Sequence, residues 1–458
     1  MLMIWPLFGE SLPTMSRQTT RLRRLKRLLA FFLLTLAMSI CFIVASMALV
    51  VVIAEPGAAA QQDQTDTPTA SSLSQEPAAT ETPEPTTTLS PTPAPTFTPT
   101  GTPTQAPTLT PSPYVLGPDN FPSIVNPLTG LEIPDPSRLE RRPIAIKIVN
   151  YPRYVRPQSG LSLADIVYEY YLERGITRFI ALFYGNDADK AGPIRSGRFF
   201  DEHIFTMYQA IFVFGNADHR VMDHFLELGR EVINRFVLEQ PEDTKRNCQP
   251  DSFYPLCRDR DIVSYNNMFS NTLALSQFIS ERGTDNSRQN LNGMLFKERP
   301  PLSGARGTSI ALDYSMFISN RWLFDAVTGR YLRFEETHDN HPTLEKEYAP
   351  LTDALTNQPI AADNIAVLFV PHEYFVNTPT TEIVKINLID TGPAILFRDG
   401  HAYSGTWTRP QGEGVLSLLN SKGKPLAFKP GVTFFEVIGD SSTFNQTDGD
   451  WQFKFAIP

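Results

Sequence analysis

Apolar positions follow three different rhythms along this chain. From Leu28 to Ala54 they run unbroken, with no charged residue among them. Such a run exceeds both the roughly 20 residues that span a bilayer and the roughly 7–15 of a cleavable signal core, so it predicts a single transmembrane anchor. Arg17, Arg21, Arg23, Arg24, Lys26 and Arg27 precede it, and Glu55 follows. By the positive-inside rule residues 1–27 form a basic cytoplasmic head, and everything after Ala54 lies outside the membrane. Small residues at Ala58, Ala59 and Ala60 leave signal cleavage as the alternative. Residues 55–113 have no apolar rhythm at all. They are dominated by Thr, Pro, Ser, Ala and Gln, a composition that buries too little apolar surface to offset its ordering entropy. A disordered, extended linker is expected there.

Beyond Tyr114 the rhythm becomes that of a folded protein. Ile144–Val149 is a short apolar run with one Lys, which predicts a buried strand. Val167 to Glu173 alternates with period two, placing Val167, Glu169, Tyr171 and Glu173 on one face. Arg174-Gly175 supplies a turn, and Thr177–Tyr184 continues as the partner strand. With a two-residue loop, Arg178 faces Tyr171 and lies between Glu169 and Glu173. The spacing predicts helices over Phe199–Gln209, Asp218–Leu228 and Met268–Arg282, and a buried strand over Ile211–Phe214. From about Thr308 the pattern is that of strands, with hairpins at Thr328-Gly329 and Asp399-Gly400. The expected fold class is α+β. A mixed α/β sheet domain occupies residues 114–300, and a mostly antiparallel β domain occupies 301–458, with the boundary near Arg299-Pro300-Pro301.

Charge narrows the partners. The chain carries 40 Lys/Arg and 49 Asp/Glu, of which six and seven precede Tyr114. The folded part therefore holds 34 bases against 42 acids, a net charge of −8. A phosphate backbone requires a basic face, so nucleic acid is not an expected partner. Cys248 and Cys257, nine positions apart in an exported domain, read as a disulfide closing one small loop or as two free thiols.

Candidate chemistry concentrates between Arg156 and Arg198. Glu169, Glu173, Arg178, Arg195 and Arg198 combine two carboxylates with three guanidinium groups. The carboxylates suit a general acid and base, and arginines recognise carboxylate or phosphate bidentately. The same set suits a structural ion-pair network. Ser196 lacks a G-x-S-x-G elbow and reads as a helix cap or a site-lining residue. Phe214-Gly215-Asn216 ends a strand and opens a helix, where ligands sit in α/β sheets; Arg258 follows in the next stretch. His219 and His224, five apart, do not share a helix face. No P-loop, dinucleotide fingerprint or H-E-x-x-H motif occurs, so no cofactor or metal is expected.

Several ordered motifs carry a resemblance. Asn126-Pro127-Leu128-Thr129-Gly130, Arg156-Pro157-Gln158-Ser159-Gly160-Leu161 and Ala164-Asp165-Ile166-Val167-Tyr168-Glu169 are followed by Gly175-Ile176-Thr177-Arg178-Phe179 and Gly192-Pro193-Ile194-Arg195-Ser196. Phe397-Arg398-Asp399-Gly400, Gly405-Thr406-Trp407 and Pro430-Gly431 continue the series. In these motifs the chain resembles the YerB-like family of bacterial surface lipoproteins, which has paired N- and C-terminal domains of unknown function. The resemblance covers nearly all of residues 124–440. It implies fold and envelope location, and assigns no catalytic residues. The family's lipobox is absent here: Cys41 sits behind Ile40 within the apolar run, and a membrane span is expected in its place. Arg409 replaces a family Lys, and Gly215-Asn216-Ala217 replaces a Gly-Gly-Ser-like turn. Two functions are therefore expected to compete. One is a tethered, non-enzymatic envelope module that binds a wall component or protein partner through Glu169, Arg178 and Arg195. The other is an envelope hydrolase that uses Glu169 and Glu173 as an acid/base pair.

Overall fold

Long apolar runs with β-branched and aromatic residues form strands buried on both faces, and these dominate the molecule. The computed structural model describes residues 115–249, 254–340, 345–412 and 414–458. The predicted head, anchor and linker lie outside the described residues. Among the described residues, no helix is long and apolar enough to cross a membrane. They are mostly β-sheet with few helices.

Eleven strands make one sheet: β1 (Ile144–Val149), β2 (Ile166–Glu173), β3 (Ile176–Phe183), β4 (Ile211–Phe214), β5 (Phe236–Leu238), β6 (Ala305–Arg306), β7 (Asn364–Val370), β8 (Asp390–Arg398), β9 (His401–Arg409), β10 (Ser417–Asn420) and β11 (Thr433–Gly439). Their spatial order is β6-β9-β8-β7-β11-β2-β3-β1-β4-β5, with β10 pairing β9. The two sequence segments thus meet inside a single sheet, where β11 runs parallel to β2 and Glu436 lies opposite Glu169. At one end β1, β4 and β5 form a parallel strip.

Each face of this sheet has its own cover. Tyr168 and Tyr170 of β2 point toward helix α1 (Asp201–Met207) and its approach: Tyr168 bonds Tyr208 at 2.8 Å, and Tyr170 packs on Phe200 at 4.4 Å. Helix α2 (His219–Glu227) follows β4, with Asp218 as its N-cap at 3.0 Å from the Arg220 amide. The opposite face meets a seven-stranded sheet that includes Ser309–Asp313, Ser319–Asp325, Arg330–Glu336 and Asp450–Lys454. There Trp322 stands edge-on to Phe434 at 4.8 Å. Among the described residues every sheet closes within 115–458, and the core draws on residues from Leu116 to Phe453. Residues 115–458 thus carry one continuous core of their own, the condition for folding as a unit.

The β2–β3 register departs from the simple hairpin. Arg174 (φ 49°) and Gly175 (φ 82°) make the expected two-residue turn, so Glu173 pairs with Ile176. A bulge at Leu172 then slips the ladder by one, and Tyr171 pairs with Thr177 and Tyr170 with Arg178. One extra residue on a strand reverses the facing of what lies beyond it. A second departure concerns Met268–Arg282. Met268–Ser270 is a strand paired with Leu256–Arg258, and only Thr272–Glu281 is helical, because the Asn271 side chain caps it at the Ala274 amide (2.9 Å).

Cys248 and Cys257 are joined as a disulfide, the first of the two readings of their spacing. Removing it with Cys248→Ser/Cys257→Ser is expected to cost about 2–3 kcal/mol from the entropy of closing a short loop. Urea unfolding of the non-reduced fragment measures this; midpoints that coincide would show that the bridge contributes nothing.

Candidate functional site

The predicted charged group does not form one site. It divides over three places, and the Leu172 bulge is the reason. Glu169 and Glu173, expected on one face, point to opposite faces of the long sheet.

Glu169 turns toward the second sheet and is 0% exposed. Its Oε1 accepts from Asn150 Nδ2 at 3.0 Å and from the Thr177 hydroxyl at 2.5 Å, while Oε2 accepts from Asn320 Nδ2 at 3.0 Å. Arg333, also fully buried, joins it to Glu436 and Glu335: its Nη1 donates to Glu436 Oε1 at 3.0 Å and its Nε to Glu335 Oε1 at 2.6 Å. Trp322 Nε1 and the Tyr314 hydroxyl add bonds to Glu436 at 2.8 and 3.0 Å. Burial, and then the adjacent Glu169 carboxylate, push Glu436 up to about 8. This cluster fastens the two sheets together and has no opening to solvent at Glu169.

The Arg156-Pro157-Gln158-Ser159-Gly160 motif belongs to the same fastening. Arg156 lies 2.9 Å from Glu336 and 3.3 Å from Glu335. The Gly160 amide donates to Asp353 at 2.8 Å. Asp165 tethers the strand entry, accepting from the Tyr184 and Gly185 amides at 2.6 and 2.9 Å.

On the other face, Glu173 pairs with Arg198, whose Nε donates at 2.7 Å; both line a shallow cavity of about 230 Å³ with Asp218 and Glu382. Arg178 is buried, and its Nη1 donates to the Ser196 carbonyl at 2.8 Å. Behind them Lys147, fully enclosed in β1, donates to Asp201 at 3.1 Å and also meets the Tyr170 hydroxyl. Desolvation lowers the Lys147 ammonium to about 7 against the pull of Asp201.

The remaining predicted residues do converge. Arg195, Ser196, Asn216 and Arg258 line one cavity of about 280 Å³, with Glu239 and Met268 completing it. It opens where β4 and β5 end, at Gly215-Asn216 and Glu239, which is where open α/β sheets accept ligands. Arg258 is held by Glu239 through two bonds of 2.6 and 2.8 Å, and its backbone is fixed beside the disulfide by the Arg246 carbonyl and the Cys248 amide. Arg195 differs: among the described residues its guanidinium has no carboxylate partner and only stacks over Tyr265 at 4.7 Å. Tyr265, 64% exposed, lies against Arg195, and Tyr154, 60% exposed, is bonded to Ser264 and Asn266, the chain neighbours of Tyr265. Glu239, Tyr265 and Tyr154 escaped the sequence reading because they sit in loops and one short helical turn without periodicity. Among the described residues, no group of His, Cys, Asp and Glu could hold a metal ion.

Comparison with known proteins agrees with this architecture. The N-terminal domain of the family described as "Protein of unknown function (DUF3048)" matches residues 128–285, and its C-terminal domain matches residues 310–435. The chain is 25% identical over 333 residues to "Putative lipoprotein YerB" of Bacillus subtilis (strain 168), covering 73% of this chain and 92% of that protein. A crystal structure of the YerB protein from Bacillus subtilis shares the fold with a TM-score of 0.55 at 24% identity, covering 69% of this chain and 96% of that one. The chain belongs to the YerB-like family of paired DUF3048 domains.

Proposed function

We propose that this chain is an envelope-associated, non-enzymatic binding module that takes a carboxylate-bearing wall component or protein partner at the Arg195 cavity. One observation carries the reading: Arg195 lines a cavity at the ends of parallel strands and has no ion-pair partner among the described residues, while the cavity's one carboxylate, Glu239, is already paired with Arg258. A free guanidinium fork matches the two oxygens of a carboxylate, and Ser196 and Asn216 add polar contacts beside it. The exposed rings of Tyr265 and Tyr154 offer a stacking surface for a sugar or peptide next to that charge. The lipoprotein name of the relative supports an envelope location, and the apolar run from Leu28 to Ala54 would serve as the single-pass anchor. The hydrolase reading needed Glu169 and Glu173 together, and the bulge separates them.

The test is retention of the 115–458 fragment on isolated wall polymer and on immobilised envelope proteins, beside its Arg195→Ala variant. Losing a charge-assisted bidentate contact is expected to weaken retention about tenfold or more. The melting temperature should stay within a few degrees, because the Arg195 side chain makes no hydrogen bond among the described residues. Equal retention of both proteins on every bait would move recognition elsewhere.

A further inference from the structure

A second charged feature lies at the other edge of the long sheet, away from Arg195. In the segment that joins the two halves of the chain, Lys297 and Arg299–Ser303, but not Glu298 between them, form one wall of a groove of about 410 Å³, and the β9–β10 region forms the other. Lys297, Arg299 and Lys422 line it, and among the described residues no carboxylate does. None of the three takes part in an ion pair among the described residues. The folded part has a net charge of −8, so three unneutralised cations in one groove run against the general charge balance. The walls are fixed: the Tyr403 hydroxyl donates to the Pro301 carbonyl at 3.2 Å, and Asn420 Oδ1 accepts from the Lys422 and Lys424 amides at 2.9 and 3.1 Å. Leu302 stands fully exposed beside the cations.

We infer that this groove binds a phosphate-bearing anion. Cations set along two walls suit a group with several charged oxygens, or a run of such groups, better than a single planar carboxylate. The phosphate can come from the headgroups of an anionic lipid surface, which an exposed Leu amid cations also suits, or from a soluble phosphate polymer. Neither source depends on the Arg195 cavity.

The experiment uses the 115–458 fragment, its Lys297→Glu/Arg299→Glu/Lys422→Glu variant and its Arg195→Ala variant. Each is titrated with soluble inorganic polyphosphate and with vesicles of phosphatidylcholine, alone or containing phosphatidylglycerol, at low and high salt. Expected is binding at low salt that the triple substitution and high salt each weaken about tenfold or more, with Arg195→Ala unchanged. The three side chains are on the surface, so an unaltered circular dichroism spectrum is expected to accompany the loss. Binding to phosphatidylglycerol vesicles alone assigns a lipid headgroup, and binding to polyphosphate alone assigns a soluble polymer. Absence of binding to both probes at low salt, or triple-variant affinity equal to wild type, overturns the inference.

Discussion

Replacing Arg333 with methionine is expected to destabilise the 115–458 fragment by about 3–5 kcal/mol, because it strands buried carboxylates without their cation. Glu169 and Glu436 lie directly opposite each other on β2 and β11, an arrangement that repels when both are charged. Arg333 bridges them and also holds Glu335. Arg156 also reaches Glu335, but Arg333 alone faces both Glu169 and Glu436, and a proton on Glu436 relieves the excess. With Glu436 raised from 4.5 to about 8, the unfolded chain loses this proton first as pH rises. The associated stability is complete below about pH 4.5 and is lost as pH rises through about 8. Glu436→Gln keeps the neutral form at every pH, so its stability should fall less between pH 5 and pH 8 than that of wild type. Urea midpoints of the two proteins at both pH values check this; parallel slopes would show that Glu436 carries no shifted proton. The comparison with the variant is needed because Glu336 and Asp165 titrate in the same direction and His203 and His372 in the opposite one.

The second large effect is expected at Asp201. This carboxylate is fully buried and is the counter-charge of Lys147, which sits in the middle of β1. Asp201→Asn leaves an ammonium in the core and is expected to cost about 3 kcal/mol or more at pH 6. The Lys147 ammonium is already lowered from 10.5 to about 7 in the intact protein. Its depressed value means that the folded state sheds this proton before the unfolded chain does, so stability from this residue rises from about pH 7 upward. In Asp201→Asn the lysine can become neutral at little further cost, and the penalty of the substitution should shrink by pH 9. Thermal unfolding at pH 6 and pH 9 measures both halves. A penalty independent of pH would place the cost in the lost amide bond of Arg198, which Asp201 accepts at 2.8 Å, and not in Lys147.

Most elements were legible in the sequence, because buried strands such as Ile144–Val149 and Ile211–Phe214 are short apolar runs and Asp399-Gly400 is a strong turn. Pairing between distant strands was not. Nothing in the period of Val432–Ile438 announces that it inserts beside β2 and makes one sheet of two segments. The bulge at Leu172 was equally hidden, since a one-residue slip leaves the alternation of the sequence intact while reversing Glu173. That reversal is why the strongest-looking cluster dissolved into a sheet fastener and an ion pair. Arg195, Ser196 and Asn216 fared better because Gly215 marks the bend that ends β4, and the ends of strands are where such cavities form. Arg258 joined them through the disulfide loop, which spacing did suggest.

The most direct measurement of the central claim compares wild type and Arg195→Ala on each bait, before and after its carboxylates are blocked by amidation. Wild type is expected to be retained on at least one untreated bait, amidation or substitution each to remove that retention, and amidation to have no further effect on the variant. Retention of wild type that survives amidation, or that Arg195→Ala shares in full, would contradict recognition of a carboxylate at this cavity.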